Sequence, residues 1–162
     1  MFVLIRTVTY AALFVSLVLV FLPARVLSSW GIATPPANHV GQIVGMALGV
    51  GGAALALWSV ITFAVVGRGT PLPFDPPRRL VVRGPYRFVR NPMAIGVSLA
   101  LTGTALFYQS AALLGCTVLF VLAIHLFVVW YEEPTLRRMF GDEYEGYSRR
   151  VRRWWPRGPG LP

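Results

Sequence analysis

The sequence contains no lysine, and charged residues of both signs make up only 13% of its 162 residues. Soluble domains carry about 25% charged residues, so this composition is not typical of a water-soluble domain. The single cysteine, Cys116, excludes an intrachain disulfide, and its apolar surroundings favour a packing role. The chain also lacks the glycine-rich strand–turn–helix fingerprint of the dinucleotide-binding folds.

Long uncharged stretches are what the chain has instead, and hydrophobic residues make up 56% of it. One bilayer crossing needs about 20 mostly apolar residues. Thr7–Ala24 therefore suits one crossing, Val26–Gly67 suits one crossing and a loop, and Asn91–Tyr131 suits two crossings. The pattern predicts an all-α polytopic membrane protein with four transmembrane helices.

Two N-terminal helices are predicted, the first over Val3–Leu22, where Pro23 ends it, and the second over Val40–Val66. The second helix carries glycines four residues apart on one face, namely Gly41, Gly45 and Gly49. Such a face lets another helix approach closely, most simply within the same chain. A homodimer face is the alternative, and the oligomeric state stays open.

The third uncharged stretch must fold back, because a straight helix of its length would measure about 60 Å, twice the thickness of the hydrocarbon core. Its most polar tripeptide, at residues 108–110, marks the turn. Helix 3 is predicted over Pro92–Phe107 and helix 4 over Ala111–Tyr131. This helix 3–helix 4 hairpin brings Arg90-Asn91 and Glu132-Glu133 to the same edge of the membrane.

A cytoplasmic helical segment is predicted after the hairpin. Its apolar face is formed by residues three and four apart, namely Leu136, Phe140, Tyr144, Tyr147 and Val151. Gly141 is expected to interrupt the helix. We predict one membrane-embedded domain, with two helices in residues 1–66, a cytoplasmic loop in 67–90, the hairpin in 91–131 and a cytoplasmic tail in 132–162.

The distribution of arginine predicts the orientation of the chain, which carries a formal net charge of +9. With four spans, fourteen arginines lie on the side of the termini and of loop 67–90, and Arg25 alone lies on the other. Basic residues favour the cytoplasmic side, so both termini are predicted to be cytoplasmic, in a bacterial inner membrane. Because the arginines flank apolar spans, membrane lipids rather than nucleic acid are the expected partners.

Two adjacent carboxylates, Glu132 and Glu133, are predicted at the membrane edge, where an unpaired charge is costly. A cation is therefore expected beside them, which would be Arg90, Arg87 or the amine of a ligand. Mixed charge together with aromatic side chains such as Tyr144 suits a zwitterionic ligand with a flat ring. The alternative is that Arg90 and Glu132 form only an ion pair that closes the helix ends.

Several segments in a fixed order carry a family resemblance. Gly84–Met93 has the sequence GPYRFVRNPM, and it is followed by a long apolar stretch, by Glu132-Glu133 and by FGDEYEGY. Together these segments resemble the isoprenylcysteine carboxyl methyltransferase family and the related phospholipid N-methyltransferases. The signature of that family is Arg-His-Pro-x-Tyr, a hydrophobic stretch and then Glu-Glu. The resemblance covers about Leu80–Pro156.

The resemblance implies an S-adenosylmethionine-dependent methyltransferase that is built from membrane helices and has no metal site. Leu80, Val81 and Tyr86 would cover the cofactor, and Glu132 would hold its ammonium group. The whole cofactor site implied by the resemblance consists of Leu80, Val81, Tyr86, Arg90, Asn91, Pro92, Met93, Ala94, Glu132, Glu133 and Tyr144. No residue is assigned a catalytic role.

Within the signature, Asn91 stands in place of the usual His and Ala94 in place of the usual Tyr. Val128 stands where the prenylcysteine enzymes carry an arginine that contacts the substrate, which argues against a prenylcysteine acceptor. His125, an ionisable residue within a span, is either a second residue on the substrate side or a packing histidine.

The expected acceptor is a lipophilic or small carboxylate, amine or thiol. Two other classes of function remain as alternatives. One is a non-catalytic membrane protein that retains the cofactor pocket, and the other is an NADPH-dependent membrane reductase.

Overall fold

A computed structural model describes residues 9, 13–33, 35, 39–67 and 79–156 of the chain. Its helices are α1 (Leu13–Ser29), α2 (Val40–Thr62), α3 (Pro92–Phe107), α4 (Ala111–Phe127) and α5 (Glu133–Arg150). A π-helical turn extends α2 over Phe63–Gly67, and another joins α4 to α5 over Val128–Glu132. Within the described residues there is no β-strand, and β geometry is confined to one isolated parallel bridge between Val89 and Arg152.

The predicted hairpin is confirmed, since α3 has the expected limits, α4 begins at Ala111 as expected, and the two meet at residues 108–110. The regular α-helix ends at Phe127 and not at Tyr131, because the π-helical turn Val128–Glu132 follows it. Gln109 takes a positive φ of 50° at this turn. The Ser110 hydroxyl then accepts a 3.3 Å hydrogen bond from the Leu113 amide and caps the start of α4. Serine is favoured there because its oxygen satisfies an amide that has no partner within the helix. The chain thus returns to the level from which α3 began.

The first helix differs from its prediction, because Pro23 lies inside α1 and not at its end. The helix continues to Ser29, while its predicted start at Val3 lies outside the described residues. A π-helical turn, Leu17–Phe21, lies just before the proline. A proline ring collides with the carbonyl four residues earlier in a regular α-helix, and a widened turn relieves that collision.

The backbones of α2 and α3 touch each other at glycines. A Cβ on Gly45 would lie 2.6 Å from the Phe107 amide nitrogen, and a Cβ on Gly96 would lie 2.6 Å from the Ala56 nitrogen. No real side chain fits at those distances. The predicted close approach is therefore confirmed at Gly45 and also at Gly49, because a Cβ on Gly103 would collide with the Gly49 backbone, and it lies within the chain. A Cβ on Gly49 itself, or on Gly41, would stand in open space.

Two helical stretches are long and apolar enough to cross a membrane, Val40–Gly67 and Ala111–Arg150. The helices α1 and α3 are apolar but shorter. Large apolar side chains stand exposed along the outer faces of α2 and α4, among them Val50, Leu57, Trp58, Ile61, Val118, Leu119 and Leu122. A monomer surrounded by water rarely exposes contiguous apolar surface of this kind.

The fifth helix is bent at Gly141, whose φ of 47° and ψ of −123° interrupt the helical geometry as predicted. Glycine adopts a positive φ without steric penalty, which suits it to this kink. The predicted apolar face is also confirmed, because Tyr144, Tyr147 and Val151 are buried together with Leu136 and Phe140 packed against them. This cluster fixes α5 beneath the loop that precedes α3, where Leu80 also contacts it.

Candidate functional site

A tight loop leads into α3 and fixes the position of Arg90. Gly84 has a φ of +57°, and a Cβ on it would lie 2.8 Å from the Thr62 hydroxyl. The 3-10 turn Gly84–Arg87 comes next and buries Tyr86. Glycine is required at the start of this turn because both the positive φ and the close contact exclude a side chain. The loop is thereby held against the end of α2.

The chain after α5 lies beside the same loop. Val151 takes extended geometry, with φ −116° and ψ 126°. The Arg90 amide donates to the Arg152 carbonyl at 2.9 Å, and the Asn91 amide donates to the Arg153 carbonyl at 3.3 Å. Side chains alternate in extended backbone, so Val151 and Arg153 point inward and Arg152 points outward. We refer to residues 151–154 as the C-terminal strap.

Glu133 lies at the centre of an ionic cluster. Its carboxylate accepts two hydrogen bonds from Arg153, from Nε at 2.6 Å and from Nη2 at 2.8 Å. Arg90 Nη1 lies 3.0 Å from Glu133 Oε1. The two ends of the hairpin, which carry Arg90 and Glu133, therefore lie side by side as expected. The ion pair predicted as the alternative also forms, but its carboxylate is Glu133 and not Glu132.

Opposing effects act on the pKa of Glu133. Burial by itself would raise this pKa, but the hydrogen bonds from Arg153 and the charge of Arg90 together bring it below its usual range. Glu133 is therefore ionised at neutral pH. Buried carboxylates stay charged only when paired in this way.

Glu132 is adjacent in sequence and has the opposite environment. In the described part of the chain no hydrogen bond or ion pair satisfies its carboxylate. Burial and the charge of Glu133 raise the pKa of Glu132 to about 7, although the charge of Arg90 acts in the lowering direction. The two carboxylates thus divide into one that is fully paired and one that lacks a cation of its own.

Arg90 connects both halves of the site. Its Nη1 donates to the Tyr144 hydroxyl at 3.0 Å, and its guanidinium lies 6.0 Å from the centroid of the Tyr144 ring. Its Nε is buried and has no hydrogen-bond partner among the described residues. A buried donor without a partner carries a free-energy cost of about 1–3 kcal/mol. An acceptor atom from a ligand would remove that cost.

Three tyrosines enclose the cluster. The Tyr147 hydroxyl donates to the Tyr86 carbonyl at 2.7 Å, and the rings of Tyr144 and Tyr147 meet edge to face at 6.3 Å. Burial, followed by the charge of Glu132, raises the pKa of Tyr86. Tyr86 therefore keeps its phenolic proton and lies within electrostatic reach of Glu132. Tyr144 and Tyr147 also anchor α5 to the loop.

The remaining predicted cofactor residues lie around Arg90. Asn91 and Pro92 are buried at the first turn of α3, and Asn91 makes no side-chain capping bond there. Val81 is buried, while Leu80, Met93 and Ala94 are partly exposed. The side-chain amide of Asn91 therefore does not cap the helix that this residue starts, although asparagine commonly caps helices.

The two residues predicted on the substrate side have packing roles in the structure. His125 Nδ1 accepts a 3.2 Å hydrogen bond from Trp154 Nε1, so the strap reaches one face of α4. Val128 is only 1% exposed and lies at the start of the π-helical turn. His125 is partly exposed, and a place for either residue on the substrate side stays a prediction.

Arg153 is the residue of the cluster that the sequence did not single out. It is one of several arginines before Trp154, and from the sequence it counted only among the fourteen arginines of the predicted cytoplasmic side. One feature could have identified Arg153. In an extended segment, every second residue lies on the same side, so Arg153 lies on the side of the buried Val151. Arg153 lies two residues after Val151, and its partner Glu133 lies 20 residues earlier.

Comparison with known families agrees with this geometry. A sequence model described as "Phospholipid methyltransferase" matches residues 40–143, more than half of the chain. The chain belongs to this family. The match includes α2, the hairpin and both carboxylates, which lie on the elements described above. It ends before Tyr144 and the C-terminal strap.

An uncharacterised protein of Haemophilus influenzae is similar over a shorter stretch. It is 46% identical over 46 residues, which cover 28% of this chain and 71% of that protein. No solved structure matches the chain. Family membership makes this a methyltransferase of the phospholipid methyltransferase type, with apolar helices that suit a membrane.

Proposed function

We propose that the protein transfers a methyl group from S-adenosylmethionine to a lipophilic or small acceptor at the membrane. The observation that carries this proposal is the uncompensated carboxylate of Glu132 beside a fully paired Glu133. A partly buried carboxylate with a raised pKa, and with no ion pair among the described residues, is a site for a positively charged ligand group. The ammonium group of the cofactor has the required charge.

The chemistry of the neighbouring groups fits the rest of the cofactor. Arg90 Nε offers a buried donor without a partner, which suits an acceptor such as a carboxylate oxygen. Asn91 contributes a side-chain amide that does not cap its helix, and Val81 and Tyr86 contribute buried apolar groups to the loop. A zwitterion that presents an ammonium group to Glu132 and an oxygen to Arg90 would satisfy both groups at once.

When bound, the cofactor supplies a methyl group on a positively charged sulfur. The residues of this chain then orient the ligand and exclude water, which are the main contributions a protein makes to such a transfer. Glu132 would hold the amino-acid end and Tyr86 would close the loop over it. An acceptor carboxylate or thiolate needs no general base, whereas an amine must first lose a proton.

Calorimetric titration of the purified protein in detergent with S-adenosylmethionine tests the proposal. Binding is expected for the wild type, and Glu132→Gln is expected to weaken it at least tenfold, because the amide carries no charge. Glu143→Gln removes an equal charge from the exposed side of α5 and is expected to bind as the wild type does. No binding to the wild type would refute the use of this cofactor, and tight binding of NADPH would favour a reductase.

We further propose four membrane spans, with both termini and the carboxylate site on the cytoplasmic side. The supporting observations are the hairpin and the distribution of arginine. The continuous helical stretch that begins with α4, Ala111–Arg150, is long enough to cross. Since α3 shares the turn with α4, the shorter α3 takes the same path, covered by α2. Its 16 residues span about 24 Å, somewhat less than a typical hydrocarbon core.

Single cysteines in a Cys116→Ser background test this topology. A cysteine at Gln109, in the turn between α3 and α4, is expected to react with a membrane-impermeant maleimide in intact cells. Cysteines at the exposed positions Arg87 and Arg149 are expected to react only after permeabilisation. Labelling of all three positions from the same side would contradict the four-span arrangement.

A further inference from the structure

The C-terminal strap supplies a charge to the site from outside the segment that matches the family. Arg153 forms a two-pronged hydrogen bond with Glu133, at 2.6 and 2.8 Å, and both backbone amides at Arg90 and Asn91 bond to the strap. Parallel N–H···O bonds between arginine and a carboxylate are among the strongest and most directional ion pairs in proteins. The strap is therefore attached by side chain and backbone at the same place.

The cluster contains two glutamates and two arginines, but the arginines are not shared equally. Arg153 bonds Glu133 alone, and Arg90 divides its Nη1 between Glu133 and Tyr144. Without Arg153, one arginine would face two adjacent carboxylates. Two neighbouring carboxyl groups do not both ionise readily, so the pair would retain a proton.

We propose that Arg153 is a positioning residue of the cofactor site. By occupying Glu133, it leaves Glu132 as the ionised carboxylate that is available to the ligand. This inference rests on the proposed use of S-adenosylmethionine and adds the strap to the cofactor site. It also explains the division of roles between two identical neighbouring side chains, which family membership by itself does not.

The proposal predicts a dependence of cofactor affinity on pH. The groups that face Glu133 are Arg90, Arg153, Arg137 and Tyr144. Those that face Glu132 are Glu133, Arg90, Tyr86, Tyr144 and Tyr147. Among these groups, Glu132 titrates near neutrality in the wild type. A cation that binds the ionised form displaces about half a proton at pH 7, and affinity is expected to rise with pH up to about pH 8, where the α-amino group of the ligand begins to lose its own proton.

The test compares Arg153→Met with the wild type by calorimetric titration of S-adenosylmethionine, at several pH values and in buffers that differ in ionisation enthalpy. Loss of the positive charge is expected to raise the pH midpoint of binding by about one unit, which corresponds to about tenfold weaker binding below pH 7. Proton release at pH 7 is expected to approach one per ligand. Near pH 9 the affinities are expected to converge.

Two further variants distinguish positioning from a general loss of structure. Arg153→Lys keeps the charge and is expected to restore the pH midpoint, though not the full affinity, because lysine lacks the planar fork. Arg150→Met removes a charge that bonds only its own helix, at the Gly146 carbonyl, and is expected to match the wild type. Weakening of Arg153→Met by the same factor at every pH would overturn the proposal, as would an unchanged profile. Failure of the wild type and Arg150→Met to bind would refute the proposed cofactor itself.

Discussion

Between α2 and α3 the two backbones touch at glycines, whereas around Glu133 long side chains from three segments of the chain meet. The first contact depends on the absence of side chains and involves two helices joined by one loop. The second depends on ionic groups as far apart in sequence as Arg90 and Arg153. A glycine pattern can be recognised in the sequence of one helix, but an ion pair can be recognised only when the structure has placed both partners.

The two regions also differ in what a substitution does. At the glycine contact, any added atom meets backbone, which cannot rotate away. In the ionic cluster a lost atom leaves a charge without its partner, and the remaining groups can respond by taking up a proton. The helix contact should therefore respond mainly through stability, and the cluster mainly through ligand binding and pH.

The largest loss of stability is expected for Gly45→Ala, because the new methyl group would lie 2.6 Å from the Phe107 amide nitrogen and force α2 and α3 apart. Overpacking of this kind costs about 3 kcal/mol. The measurement is the thermal unfolding midpoint in detergent. Gly41→Ala and Gly49→Ala are matched controls with open space, and both are expected to be neutral or slightly stabilising, since alanine favours helix. Equal destabilisation of all three variants would contradict the assignment of the contact to Gly45.

A smaller change in stability, and a gain and not a loss, is expected for Glu132→Gln. The pKa of Glu132 is about 7 in the folded protein and lies near its ordinary value when unfolded. The contribution of Glu132 to the free energy of unfolding is therefore greatest at low pH and falls as pH rises between about 4.5 and 7. The amide has no charge, so the variant should be more stable than the wild type by about 2 kcal/mol at pH 8.

This gain should disappear when unfolding is measured at pH 4.5, where the carboxyl group is protonated in the folded protein. Glu143→Gln serves as the exposed control and is expected to be as stable as the wild type at pH 8. A variant that loses cofactor binding and gains stability would mark Glu132 as a group kept for function. Destabilisation of Glu132→Gln at pH 8 would show instead that the carboxylate has a structural partner.

The smallest of the three effects is expected for Tyr147→Phe, which removes the 2.7 Å bond to the Tyr86 carbonyl and leaves the ring packing intact. Loss of one buried hydrogen bond costs about 1 kcal/mol. Unfolding monitored by circular dichroism would measure it. Arg149→Ala, which breaks the exposed pair with Glu145, provides the comparison and is expected to have no measurable effect. A similar loss in both variants would argue that Tyr147 contributes no more than a surface contact.

Local features of the fold were predictable from the sequence. The limits of α3, the turn at residues 108–110, the kink at Gly141 and the apolar face of α5 all depend on spacing, turn residues and glycine within a few residues of one another. Pro23 shows the limit of such rules. Proline usually ends a helix, but a π-helical turn before it allows α1 to continue, and no residue type announces that turn.

The site was predictable only in outline. Hairpin geometry brought Arg90 to the two glutamates, but the choice between Glu132 and Glu133 depends on rotation about the helix axis. The π-helical turn Val128–Glu132 inserts a residue into the helical repeat and rotates the rest of the helix by about a quarter of a turn or more. Periodicity counted across that point therefore assigns the wrong face.

The sequence by itself determined that this chain is helical, apolar, rich in arginine and a member of a methyltransferase family, because these properties depend on composition and local order. Only the tertiary structure decided that Arg90 and Arg153 pair with Glu133 and not with Glu132. The strength of an ion pair depends on distance, direction and burial, and Arg153 acquires all three only when the C-terminal strap lies beside the start of α3.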